Sequence, residues 1–191
     1  MAKTGLEYIV VAILKDQTPS YEKGQYLGPS STFNGSPTVS DVKDYGDNGT
    51  TETDVSVTGG TLSLELNENT LATYAFLLGH ELDEETGEVI SNEDDIAPYV
   101  GAGAVGKSRR NNKNKYTAKF YYKAQFKEPN DENATKQENT TFTHTTLEGN
   151  LFKLDNGAWK VQNEFDTLAE AKAWVNEKAG ITESGGTGSG E

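Results

Sequence analysis

The segment with the most suggestive chemistry is Gly101-Ala102-Gly103-Ala104-Val105-Gly106-Lys107-Ser108, which matches the phosphate-binding loop pattern residue for residue. In such loops glycine amides cradle phosphates, the lysine reaches their oxygens and the serine holds magnesium. The pattern works only between a buried strand and the N-terminus of a crossover helix. Here it runs into Arg109-Arg110-Asn111-Asn112-Lys113-Asn114-Lys115, which has three asparagines, like charges and no apolar stripe. That run is a poor helix. No buried strand ending in Asp follows it. Gly101, Gly106, Lys107 and Ser108 are therefore read as a small-residue strand end entering a basic loop, with no nucleotide function. A nucleotide-binding protein is the weaker alternative.

Other chemistry is sparse. The basic run 107–115 lacks the interleaved aromatics that stack nucleic-acid bases. It fits a solvated loop or a contact with an acidic neighbouring subunit. His80 and His144 are the two histidines, and neither has a partner at metal or triad spacing. Asp83-Glu84-Glu85 and Asp94-Asp95 lack calcium-loop spacing and read as solvated acidic turns. We expect no catalytic residue, no metal and no cofactor.

The chain has 191 residues, 30 acids against 17 bases and no cysteine, for a net charge of −13. Its length suits one domain. Disulfides and thiolate zinc sites are excluded. No apolar run reaches the roughly 20 residues needed to span a bilayer, so membrane insertion is not expected. The N-terminus lacks a signal-peptide core, which points to synthesis in a cytoplasm. The acid excess argues against DNA sequence reading, where Lys and Arg supply affinity. It is compatible with letting DNA pass without sticking.

The elements follow from periodicity. Residues 6–14 read as a strand, 16–36 as a long loop and 38–44 as another strand. Residues 51–67 read as a hairpin turning at Gly59-Gly60. That register sets Val57 opposite Leu62, Val55 opposite Leu64, and Asp54 opposite Glu65. A short helix capped by Asn69 carries Leu71, Tyr74, Ala75 and Leu78 and ends at Gly79. A short strand near 88–91 and an apolar stretch at 96–105 follow. Residues 115–127 form a long alternating strand, with Tyr116, Ala118, Phe120, Tyr122, Ala124 and Phe126 on one face and Lys115, Lys119, Lys123 and Lys127 on the other. A polar loop at 128–138 leads to a Thr-rich strand at 139–147. Residues 151–161 read as a hairpin on Asn156-Gly157, pairing Leu154 with Trp159 and Phe152 with Val161. Thr167-Leu168-Ala169-Glu170 is a capping-box start for a final helix with the stripe Leu168, Ala171, Trp174 and Val175.

The expectation is a mainly-β sandwich or barrel of about eight or nine strands, with a mid-chain helix, a C-terminal helix and long arms. It comprises a domain at 1–180, with long loops at 16–36 and 128–138, and a flexible Gly/Ser-rich tail at 181–191.

The order of several segments resembles a known family. They are Gly5-Leu6, Thr58-Gly59-Gly60-Thr61, Leu77-Leu78-Gly79-His80, Ala97-Pro98-Tyr99-Val100-Gly101-x-Gly103, the strand at 116–126 and Thr146-Leu147-Glu148-Gly149, closed by the segment 165–175. Together they resemble the major tail tube proteins of long-tailed bacteriophages of Gram-positive hosts. The resemblance implies a subunit of hexameric rings that stack into a tube for genome passage, located in the virion after synthesis in the host cytoplasm. It also implies tape measure, tail terminator and distal tail proteins as partners, and non-specific transit of double-stranded DNA. On this reading Asp54, Glu65 and Glu52 line an acidic bore, a role motivated by the like-charge pairing. Lys107, Arg109, Arg110, Lys119 and Lys123 meet acidic loops of a neighbour. A non-viral β-sandwich adhesion module, monomeric and secreted, is the other alternative.

Overall fold

The computed structural model describes residues 2–16, 19–46, 49–67, 70–110, 112–130 and 146–181. It is mainly β. The strands are β1 (Ala2–Asp16), β2 (Ser20–Tyr26), β3 (Ser30–Gly46), β4 (Gly49–Leu66), β5 (Glu81–Leu82), β6 (Val89–Ile90), β7 (Val100–Arg110), β8 (Lys113–Phe126), β9 (Thr146–Phe152) and β10 (Lys160–Phe165); the helices are α1 (Leu71–Leu78) and α2 (Leu168–Lys178). Eight strands form one sheet in the order β2-β1-β7-β8-β9-β4-β3, with β10 added along β8. Every pairing is antiparallel. β5 and β6 form a separate small pair. Among the described residues no helix is long and apolar enough to cross a membrane.

β1 and β7 are buried on both faces, which is why they read as near-continuous apolar or small-residue runs. Ile9 and Val11 point into one core, Val10 and Ala12 into the other. The first core lies inside the curl of the sheet, where Leu62, Leu64 and Leu66 of β4 meet β1, β7, β8 and β9 beneath Leu77 and Leu78 of α1. The curl brings Phe33 of β3 to Tyr121 of β8, ring centroids 5.8 Å apart. The second core lies on the outer face, where Ala171, Val175 and Ala179 cover Val105, Ala118 and Phe120.

The hairpin at residues 51–67 does not form. β4 is one strand of 18 residues that runs straight through Gly59-Gly60 and pairs with β3, Gly60 opposite Pro37 and Gly59 opposite Thr38. Neither glycine has positive φ, which a tight two-residue turn requires. They serve close approach instead: a Cβ on Gly60 would lie 2.5 Å from the Ser36 carbonyl oxygen. Val57 therefore faces Val39, Leu64 faces Phe33 and Leu147, and Leu62 faces Gly35 and Gly149. Asp54 faces Val42, while Glu65 faces Thr32 and Thr146, so the like-charge pair is absent.

The long loop at 16–36 is also overturned, because it contains β2 and the start of β3. These are the edge strands at the two ends of the sheet order, half exposed and held by the backbone ladder, so they show no apolar period. Lys23 at φ 51° and Gly24 form a bulge there. The face assignment of β8 holds only in part. A bulge opposite Gly101 inserts an extra residue into β8, as Val100 pairs with Ala124 but Ala102 with Tyr121. Tyr116, Ala118, Phe120 and Tyr122 consequently pack toward α2, whereas Tyr121, Ala124 and Phe126 enter the curl.

At Asn156-Gly157 the turn forms but the predicted strand pairing does not. Only Gly157 has positive φ, and the Leu154 carbonyl accepts from Gly157 N at 2.8 Å. β10 then departs to pair with β8, setting Val161 opposite Phe120. The cap of α1 is Thr70 rather than Asn69, and Gly79 ends the helix at φ 79° as expected. Leu71 turns out to be 61% exposed, and Leu77 takes its place in the core. Asn69, residues 131–145 and the tail from 182 lie outside the described residues.

Thr167 caps α2, its Oγ1 accepting from Glu170 N at 3.3 Å while donating to Glu170 Oε2 at 2.8 Å. Thr167→Ala is expected to cost about 1 kcal/mol, read as a fall in Tm of about 2–4 °C.

Candidate functional site

The residues 101–108 occupy the middle of the sheet. Gly101 pairs with Ala12, Gly103 with Val10 and Phe120, and Gly106 with Leu6 and Thr117. Their amides are engaged in a β-ladder on both sides, so no phosphate-cradling loop exists here. The glycines make room for neighbours. A Cβ on Gly103 would sit 2.5 Å from Val175 Cγ1 and 2.7 Å from Phe120 Cδ2, and one on Gly101 would strike the Tyr21 and Phe120 rings. Ser108 is 3% exposed and donates to the Lys115 carbonyl at 3.4 Å.

The basic run is a hairpin tip rather than a loop. β7 continues to Arg110, Asn112 turns at φ 62°, and β8 begins at Lys113. Arg109 is exposed and donates through Nη2 to Asn112 Oδ1 at 2.5 Å. Lys115 pairs with Asp166, whose carboxyl is held below its usual pKa by that hydrogen bond and charge. Lys107 and Lys119 both line a cleft of about 270 Å³, with Leu6, Thr32, Phe33, Ser108 and Thr117. Lys123 lies apart from them, its Nζ 4.2 Å from the centre of the Tyr99 ring. The side chain of Arg110 and those of Glu52 and Asp54 lie outside the described residues. Glu65 accepts from Thr32 Oγ1 at 3.0 Å.

Charge is polarised along the chain. Residues 81–95 hold eight acids and no base, and residues 107–115 hold five bases and no acid. The acidic run precedes β7 in the chain, and the basic run spans the last residues of β7, the turn and the start of β8. Within the acidic run, Asp83 Oδ1 accepts from Glu85 N (2.8 Å) and Thr86 N (3.2 Å), which lowers its pKa and makes it a turn former.

β3 and β4 form the other distinctive surface. β9 pairs with β4 only from Gly60 to Glu65. Beyond that point residues 38–46 and 49–59 pair only with each other among the described residues, as a two-stranded ribbon. Residues 38–59 carry five acids and one lysine.

One polar cluster has no counterpart in the motif reading. His80 contacts Asp95 and Glu128, 15 and 48 residues away. Spacing along the chain could not reveal it. The one available signal was a histidine placed directly after a helix-ending glycine. No protein-family model matches the chain, and no curated protein sequence matches it.

Proposed function

We propose that this chain is a structural subunit that assembles with copies of itself, as the resemblance to phage tail tube proteins implies, into stacked rings forming a tube for genome passage. The observation that carries the proposal is the β3–β4 ribbon, whose two outer edges pair with no other strand among the described residues. An unpaired edge is a ready template for a strand of another chain. A two-stranded ribbon is marginal by itself in water, so partner contact gives it a reason to persist. β2 is the terminal strand at the other end of the sheet order. Unlike edges on one subunit make heterologous contacts, which close into rings or extend into filaments.

The opposite charges of the acidic and basic runs support contacts between copies. Lys107, Arg109, Arg110, Lys119 and Lys123 remain the proposed basic side of such a contact, and Arg109 is the most exposed of those described. The acidic bore rests on the charge of −13 per copy, which repels phosphate and leaves DNA few adhesive sites. It no longer rests on an Asp54/Glu65 pair.

Electron microscopy of the purified, concentrated protein tests this reading. Rings or hollow tubes are expected; particles that stay single across salt and concentration would remove it. Arg109→Glu with Lys113→Glu is expected to weaken assembly at least about tenfold, the equivalent of ~1.4 kcal/mol. Glu84→Lys with Glu85→Lys in the same chain should restore it. No effect on assembly would reject the electrostatic contact.

A further inference from the structure

The end of α1 fixes the direction in which His80 leaves the helix. The Ala75 carbonyl accepts from both Gly79 N (2.8 Å) and His80 N (3.0 Å), and a Cβ on Gly79 would strike the Ile96 carbonyl. α1 thus ends directly against the segment 91–99. The His80 ring stacks on Tyr74 six residues back, centroids 5.7 Å apart, and its side chain is 7% exposed.

Both ring nitrogens face carboxylates. Nδ1 is 2.8 Å from Asp95 Oδ2, and Nε2 is 3.0 Å from Glu128 Oε2. Asp95 Oδ2 also accepts from Asn92 N at 2.8 Å, and Glu128 Oε1 accepts from the Tyr74 hydroxyl. An ionised carboxylate only accepts, and a neutral imidazole has one N–H. The two bonds can coexist only on an imidazolium.

We infer that His80 is a proton-operated clasp: charged, it ties α1 and the segment 91–99 to Glu128, where the chain leaves β8 toward β9; neutral, it drops its own tie and leaves Glu128 held only by the Tyr74 hydroxyl among the described contacts. The direction of release follows from the surroundings. Asp95 is 18% exposed and anchored by Asn92, whereas Glu128 is 57% exposed. The neutral ring keeps its proton on Nδ1 toward Asp95. Its Nε2 lone pair then faces the Glu128 carboxylate, acceptor against acceptor, and that contact opens.

The charges bearing on the ring are Asp95 and Glu128, with the Tyr74 phenol beside it. The Asp95 hydrogen bond raises the His80 pKa above 6.5, Glu128 adds to this and burial opposes it. The clasp's stabilisation is therefore complete below 6.5 and lost as pH rises through the raised folded value. Asp95 is held below its ordinary 3.8 by the Asn92 amide and then by His80. Its share is present above 3.8 and lost as pH falls through that lowered value. The clasp is closed between these limits.

Nitrogen-resolved NMR of the full chain tests this, with His144→Gln assigning the His80 signals. Both His80 nitrogens should carry protons near neutral pH, with a midpoint above 6.5, and Glu128→Gln should lower that midpoint. Protection of the Lys127 amide, which donates to the Glu148 carbonyl at 2.8 Å next to Glu128, should fall about tenfold between about pH 6 and pH 9 in the wild type, after correction for intrinsic exchange, and not in Glu128→Gln. A midpoint at or below 6.5, or Lys127 protection indifferent to the His80 titration, would overturn the clasp. Glu128 is exposed, so its substitution is readable even if His80→Gln fails to fold.

Discussion

A chain in which residues 39–58 are replaced by Asn-Gly is expected to fold as a monomer and to form no tubes. The replacement joins Thr38 to Gly59, which already face each other across β3 and β4. An Asn-Gly loop suits a two-residue hairpin there. No buried core residue among those described lies in the excised segment, and Val39 at its start is 49% exposed. The body should keep Leu62, Leu64 and Leu66 in the curl and melt within a few degrees of the intact chain. Assembly should need at least about a hundredfold more protein, the equivalent of ~2.7 kcal/mol. Sedimentation and electron microscopy of matched concentrations measure both effects. Tubes from the shortened chain would show that the ribbon does not carry assembly.

The largest stability effect is expected at Gly103. Valine there must fit branched carbons where Val175 Cγ1 and Phe120 Cδ2 already stand 2.5 and 2.7 Å from an ideal Cβ position. Phe120 and Val175 are fully buried between β8 and α2, with little space to retreat. Overpacking of this kind costs about 3 kcal/mol, or about 6–12 °C in Tm for a chain of this size. Shrinking the helix side relieves the clash, so Gly103→Ala with Val175→Ala should lose less than the sum of the single changes. Simple additivity in that cycle would mean that the glycine does not serve this packing. A nucleotide-loop role predicts something else, loss of ligand binding with stability intact.

Much of the fold was legible because it rests on local rules. The mainly-β class, the strands around residues 6–14 and 115–127, the glycine end of α1 and the Thr167 cap follow from alternation, helix periodicity and capping chemistry. Each needs only a few neighbouring residues. The basic and acidic segments could likewise be counted directly. Where a glycine could serve two purposes, local rules alone can mislead. Gly59-Gly60 reads as a turn, yet here the pair lets β3 and β9 approach β4. Gly101 and Gly103 match a phosphate loop in pattern only; the missing helix context gave the small-residue strand reading, and in the sheet they clear space for aromatic rings and Val175.

What the amino-acid order by itself determined is the set of pieces: strands, two capped helices, a charge of −13 and its division into acidic and basic runs. Only the tertiary structure decided which strand lies beside which, that β10 leaves its own turn to join β8, and that a bulge turns β8 from one core to the other. It also decided that His80 meets carboxylates from two distant segments. The reason is range. Backbone preference and side-chain periodicity act over a few residues, while strand partnership depends on burial and close approach between segments that the linear order keeps far apart.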